Sequence, residues 1–553
     1  MDSHVTRQTS KDSSFVSLSV QGTVLLFSIL TLFLVLTGAV PLVQLGIIPD
    51  LGRKSRYVNP ALICVTVYYL GMILLNRLTP YTFQKLYIVN LWNKACRVPL
   101  VFCVTLIALT YFALTLSVGF ERYLAFETRG FDLGIFAQAV WNTTQGKFLF
   151  SSIKENICLL GDHVSPILVL TAPFYKLWPD PRMLIALQAF AAASNFIPLA
   201  LLAENKLQNR SLTLVLLCMY FFFYPMRSAL HEDFHPEVIA ESFLWWAFLF
   251  LENKKIKLFL VCLLIAAGGK ENFLGITFML GFYALIWKKM RALGGSIMFV
   301  SVALLFWETR WLVPHLSGQP FFYAGNYSEM TGNPLLGLFQ RLFNPESLGY
   351  FLKVFAPFLF LPFFHIPTLF LTFPILFQNL LSSSGGMRSF NYHYLTGLTP
   401  FLFIATIYAI RSLRDKSIRF NRYLGWVGML LLFTAVARSG PSEYYFYWQS
   451  HDHQSEHLGL VREKLQSIPS NAKVLTHNNF IPQLCNREFI YQFDYNTQHS
   501  KLDFAKRYEA DYVIGDMAFW EPGTPTPAET IKEFLAAGYQ LSFEKDGFFI
   551  LKR

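Results

Sequence analysis

A mainly α, polytopic membrane fold ending in a small α/β domain is predicted by three observations. The chain of 553 residues is 54% hydrophobic and only 15% charged, whereas soluble domains run nearer a quarter charged. Its apolar residues gather into runs of span length, with short basic clusters between them. From residue 440 onward the apolar runs shrink to strand length. The net charge of +11 therefore reads as membrane topology signal, and no nucleic-acid partner is expected. Seven cysteines form no CxxC pair and no metal spacing; Cys158 and Cys485 lie away from the apolar runs, and a bond between them stays open.

About thirteen spans follow from the criterion of roughly 20 apolar residues, some of them short. They fall at 20–47, 57–77, 98–120, 181–203, 211–225, 237–251, 257–269, 271–287, 294–313, 350–364, 366–381, 396–411 and 422–438. The first eighteen residues are polar, and the run after them is too long for a cleaved signal segment, so it reads as a true span. At 257–287 one long apolar stretch is interrupted by Gly268-Gly269-Lys270-Glu271. A chain reversal is expected there, because paired glycines weaken a helix and two charges at mid-membrane are costly.

Basic residues set the sidedness. Arg77, Lys85, Lys94 and Arg97; Lys206 and Arg210; Lys254, Lys255 and Lys257; Lys288, Lys289 and Arg291; and Arg411, Arg414, Lys416, Arg419 and Arg422 recur in alternate connections. They assign that side to the cytoplasm. Arg53, Lys54 and Arg56 dissent, which sets the first two spans apart as a loosely specified appendage. The opposite side receives 121–180, the turn His231-Glu232-Asp233-Phe234-His235-Pro236, the Gly268–Glu271 turn, 314–349, Ser382–Tyr394 and everything after 439. An assignment made from lysines and arginines has thereby sorted the acids and histidines too. A composite polar cavity on the extracytoplasmic face is expected.

The domain organisation follows. Residues 1–97 form a two-span appendage and cytoplasmic linker, 98–438 the membrane core with outer loop 121–180, and 439–553 an extracytoplasmic α/β domain. Short apolar runs at 473–476, 489–491, 512–514 and 548–551 read as strands, and 455–467 and 528–537 as helices. No Gly-rich phosphate loop is present. His231 and His235 stand at a metal-compatible i, i+4 spacing, but Pro236 points to a helix boundary there, so no metal ligands are assigned from that pair.

Phe131-Asp132-Leu133-Gly134-Ile135-Phe136 with Gln138 and Trp141-Asn142, then Gly161-Asp162-His163-Val164-Ser165-Pro166, resemble the signature of the DUF2079 membrane proteins of bacteria and archaea. Gly269-Lys270-Glu271 and Ala510-Asp511-Tyr512-Val513 fit the same resemblance, which covers residues 98–553. Those proteins are similar to the GT-C superfamily of membrane glycosyltransferases, such as protein mannosyltransferases and aminoarabinose transferases. The resemblance implies a GT-C-like core that takes a sugar from a polyprenyl-phosphate carrier and passes it to a glycan, lipid or protein acceptor outside the bacterial inner membrane.

On that resemblance Asp132 is the expected catalytic acid, accepting the acceptor's proton or orienting the acceptor with a divalent metal. GT-C members often carry an acidic pair at this point, and Asp132 has no adjacent acid, so metal dependence is left open. Asp162, His163, His235, Glu237, Lys270, Glu271, Arg388 and His393 are the expected substrate-binding groups. Lys270, Arg310 and Arg388 are the candidates to neutralise the departing phosphate, with Lys270 preferred. Each has a plainer reading: Asp132 as a helix N-cap, Lys270 and Glu271 as a mutual pair at a turn, Glu308 and Arg310 as snorkelling side chains. A transporter or flippase would use the same polar groups as a path, but it predicts charges near mid-span and related halves. A non-catalytic envelope assembly factor would keep the fold without the chemistry.

Overall fold

The computed structural model describes residues 98–328, 334–438, 455–493, 501–520 and 526–553. The expected spans at 20–47 and 57–77, and the linker to residue 97, lie outside the described residues. Helices stand at most of the remaining expected spans. Among the described residues, five are long and apolar enough to cross a membrane: Leu100–Leu124, Arg182–Leu207, Arg210–Glu232, Arg291–Ser317 and His393–Lys416. The protein is a multi-pass membrane protein.

The helices differ in what they face. In Leu100–Leu124 only 22% of the apolar window is buried, and Val101, Phe102, Leu106 and Leu109 point outward as lipid-facing side chains do. In His393–Lys416 the share is 89%, which makes it the central helix of the body. Proline punctuates the rest. Helix Arg210–Phe221 stops at Phe222 and resumes as Tyr224–Glu232 with Pro225 in its first turn. The expected span at 350–364 is not one continuous helix: Pro345–Phe355 gives way to short turns holding Pro357 and Pro362, with Leu359 and Phe360 left-handed at φ 52° and 54°. The expected reversal near 268 is present, between helices Ile256–Ala267 and Phe273–Ile286. Gly269 is required there, because a Cβ would come 2.3 Å from Cβ of Ala240.

After Leu124 the first loop forms helix Ile135–Thr144, a hairpin of β1 (Phe150–Ser151) and β2 (Ile157–Cys158), and the helical stretch Pro166–Leu177. The tail carries β3 (Val474–Thr476), β4 (Ile490–Gln492), β5 (Tyr512–Asp516), β6 (Gln540–Lys545) and β7 (Phe548–Lys552), in the order β4-β3-β5-β7-β6. Strands β3, β4 and β5 are parallel, while β7 runs antiparallel to β5 and to β6. Helices Glu456–Gln466 and Pro527–Ala536 stand at the two expected stretches, the second opened by a capping box of Thr526 and Glu529. Strand β6 went unforeseen because it is mostly exposed and carries no apolar run.

Loop and tail share one core. Phe126, Leu133, Leu149, Leu168 and Tyr175 pack with Val461, Val474, Phe480, Ile481 and Ile490, apart from the core of the helical body. Buried Gln138 ties them polarly, bonding Ser151 and Ser152 on one side and the carbonyls of Arg487 and Glu488 on the other. Cys158 and Cys485 are both free thiols.

Candidate active site

The sequence around Asp132 builds a turn instead of a helix cap. Residues Gly130–Gly134 form a wide turn before helix Ile135–Thr144, and Asp132 sits in it at φ 84°, ψ −98°. A non-glycine residue there costs about 1–3 kcal/mol, and such strain persists only where neighbours over-determine it. The tail supplies those neighbours. Asn478 accepts hydrogen bonds from the backbone N–H of Gly130 and Phe131 (2.7 and 3.1 Å to its Oδ1), and its own carbonyl accepts from Gly130 at 2.8 Å. Ile481 lies so close that a Cβ on Gly130 or Gly134 would meet it at 2.6 or 2.7 Å. From the helical body, Asp233 accepts from the Arg129 N–H at 2.8 Å and pairs with Arg122 at 2.8 Å. Asp132 makes no side-chain cap to its helix, so the N-cap reading does not describe it.

From that turn a chain of buried charges crosses the end of the helical body. Glu232 Oε2 accepts from the His393 backbone N–H at 3.0 Å and lies 3.1 Å from His393 Nδ1 and 3.2 Å from His235 Nε2. The two imidazoles stack, ring centres 3.8 Å apart. His393 Nε2 stands 3.6 Å from Glu237 Oε1, and Glu237 pairs with Lys270 Nζ at 2.9 Å. Glu271 pairs with His163 at 2.9 Å and accepts from the Val164 N–H. The His163 ring stacks on Tyr323, whose hydroxyl donates to Asp162 at 3.4 Å, and Asp162 pairs with Lys154 at 2.9 Å.

The electrostatics follow from burial against pairing. Burial alone would lower the His235 pKa, but the carboxylates of Glu232, Asp132 and Glu237 reverse this and lift it to about 9. Burial likewise disfavours the Lys270 ammonium, yet Glu237 and Glu271 hold its pKa well above the ordinary lysine value. Glu271 is held below the usual carboxylate range, since His163 and Lys270 outweigh burial. Asp162 is held low because Lys154 and His163 outweigh its burial.

Two cavities open beside this chain. One, of about 290 Å³, is lined by His163, Glu237, Lys270, Glu271, His393 and Tyr394 among others. The second, of about 750 Å³, is mostly apolar and includes Arg310, Pro314, Pro320 and Phe321. They share the wall of Glu271, Asn272, Tyr323, Tyr327 and Gln378.

Of the residues expected from sequence, His163, Glu237, Lys270, Glu271 and His393 line the polar cavity, with His235 and Asp162 one contact behind. Asp132 does not line it; its charge acts on His235 and on the wall residue Tyr394. Arg388 stands apart, bonded to the Ser382 carbonyl and to exposed Glu346 at 3.1 Å. Lys270 and Glu271 do not pair with each other. Glu232, Tyr323 and Asn478 were not singled out from sequence. Glu232 was visible within the histidine-bearing turn, whereas Tyr323 and Asn478 carry no local signal.

Among solved structures, ArnT from Cupriavidus metallidurans bound to undecaprenyl phosphate is 12% identical, with a TM-score of 0.49 over 82% of this chain and 97% of its own. The same enzyme in the apo state is 11% identical, with a TM-score of 0.47 over 82% of this chain and 98% of its own. No curated protein matches the sequence. The model of DUF2079, described as a predicted membrane protein, matches residues 122–550, from the end of the first described helix to the last strand. The chain belongs to the DUF2079 family.

Proposed function

We propose that this protein is a membrane glycosyltransferase that moves a sugar from a polyprenyl-phosphate carrier to an acceptor on the extracytoplasmic face of the bacterial inner membrane. The observation that carries the reading is the pair of adjoining cavities, one polar and one apolar, divided by Glu271, Asn272, Tyr323, Tyr327 and Gln378. A ligand with a long apolar chain and a polar head fits such a pair; a small soluble substrate has no use for the apolar half. Tyr323 and Tyr327 flank the dividing wall, where an aromatic ring suits the boundary of a sugar and a prenyl chain.

In this reading the acceptor hydroxyl attacks the anomeric carbon, the bond from that carbon to the carrier phosphate breaks, and the electron pair leaves with the phosphate. Asp132 stands outside both cavities and takes the hydroxyl proton as the new bond forms, so the acceptor enters on its side of the polar cavity. The Asp132 turn fixes the backbone from which the carboxylate projects, which narrows the positions the base can take before reaction. Arg310 in the apolar wall is the cation best disposed to meet the leaving phosphate. Lys270 is already paired with Glu237, so it acts by holding that acid and His393 in the polar wall.

The reading is tested with full-length protein in proteoliposomes supplied with polyprenyl-phosphate sugars. Asp132→Asn is expected to lose transfer by about 10²–10⁴-fold while its melting temperature stays near that of wild type. Undiminished transfer by that variant overturns the assignment of Asp132, and flux of the carrier without product overturns the transferase reading.

A further inference from the structure

Glu232, His235 and His393 bring three metal-competent donors together from segments 158 residues apart in sequence, and their ligand atoms all lie within 4.8 Å of one another. His235 is 1% exposed and His393 9% exposed. The Nε2 atoms of both rings are buried without a hydrogen-bond partner; that of His235 is near Glu232 but out of line for one. Ring nitrogens left this way in an apolar body are expensive, and a ligand that uses them removes the cost.

The charges point the same way. Arg122 offsets Asp233, and Lys270 offsets Glu237. Glu232 pairs with no lysine or arginine among the described residues; its partners are the two imidazoles and one backbone N–H. A carboxylate met only by imidazoles and a backbone N–H can take a cation without displacing a lysine or arginine.

We propose that Glu232, His235 and His393 form a binding site for a divalent transition-metal ion of the zinc class. Two imidazoles and one carboxylate suit zinc or cobalt, whereas magnesium and calcium favour all-oxygen sets. With bonds of about 2.0–2.2 Å, three ligands sit roughly 3.3 Å apart around a tetrahedral ion; the present contact of Glu232 Oε2 to His235 Nε2 is 3.2 Å. Uptake spreads the rings beyond their 3.8 Å stack. Three protein ligands leave a fourth position open. The site stands whether or not the chain is a glycosyltransferase, because it is read by metal content and not by turnover.

The test uses the full chain in nanodiscs, stripped with chelator, dialysed against Zn²⁺ and assayed for bound metal, with Co²⁺ as a spectroscopic probe. Wild type is expected to retain about one ion per chain and to give the intense visible absorption of tetrahedral cobalt. His235→Gln with His393→Gln should abolish both signals, and Glu232→Gln should weaken binding about tenfold or more. His315→Gln, an exposed residue stacked on Trp311, should change neither. Wild type that retains no more zinc than the double variant, or that binds cobalt without the tetrahedral signature, overturns the proposal. Because the wild-type result is itself decisive, a variant that fails to fold leaves the test intact.

Discussion

Glu252 and Glu232 are both carboxylates held at helix ends in the body of the protein, and their surroundings are opposite. Glu252 closes helix Pro236–Glu252 and is met by Lys206 at 2.9 Å, by Lys288, and by the Tyr283 hydroxyl at 3.0 Å. It is saturated and lines neither the polar nor the apolar cavity. Glu232 has two imidazoles and one backbone N–H, with no lysine or arginine among the described residues. Its neighbour His393 lines the polar cavity. A buried charge therefore marks a candidate site only where its partners under-neutralise it and a cavity adjoins it. A saturated knot of charges is a rivet between helices.

The comparison is sharpest for the two buried lysine–glutamate pairs. Lys270→Ala leaves Glu237, which is 4% exposed, with only His393 Nε2 at 3.6 Å, and should destabilise the protein by about 3–5 kcal/mol. Lys288→Ala leaves Glu252 with Lys206 and Tyr283, and should cost about 1 kcal/mol. Denaturant or thermal unfolding in detergent measures both, and equal losses would break the distinction between an isolated pair and a saturated one.

Next in size is the hold of the tail on Asp132. Asn478→Ala removes the acceptor for the Gly130 and Phe131 N–H groups and should cost about 1–3 kcal/mol. Hydrogen exchange should quicken at residues 126–134 and stay unchanged in helix Pro236–Glu252. Unchanged exchange at 126–134 would show that the turn holds itself.

A pH-dependent effect probes the imidazole side of Glu232. The His235 pKa of about 9 lies above its unfolded value of about 6.5. Its contribution to stability is therefore complete below pH 6.5 and lost as pH rises through 9. In metal-stripped protein the stability gap between wild type and His235→Gln should shrink from pH 6 to pH 10. A gap that widens with pH means that His235 is neutral in the fold.

No energetic change is expected from the last test, which asks which end faces outward. Ser383 and Asp415 are both exposed, at opposite ends of the region between them. A cysteine at Ser383 should react with an impermeant maleimide added to cells, and one at Asp415 should not.

Much of the site was legible as a set of segments, and little of it as contacts. The loops that carry Asp132, Asp162, His163, His235, Lys270, Glu271 and His393 were gathered onto one side by basic clusters alone, and they do meet. What could not be read was the pairing. Lys270 and Glu271 are consecutive, so they leave a turn in different directions and reach Glu237 and His163. Asn478 reaches Gly130 from 348 residues away, with no local pattern to announce it. The break at 355–361 lay in prolines that hydropathy alone does not weigh.

By itself the sequence determined the membrane class, the helical segments and the sorting of charged loops, because transfer of each segment into lipid depends on its own composition. Only the tertiary structure decided that Asp132 is held in a strained turn by the tail, that Glu232 joins two histidines, and that a polar and an apolar cavity share a wall. Those features arise from packing between segments far apart in the chain, where the free energy of a side chain depends on neighbours that no local window contains.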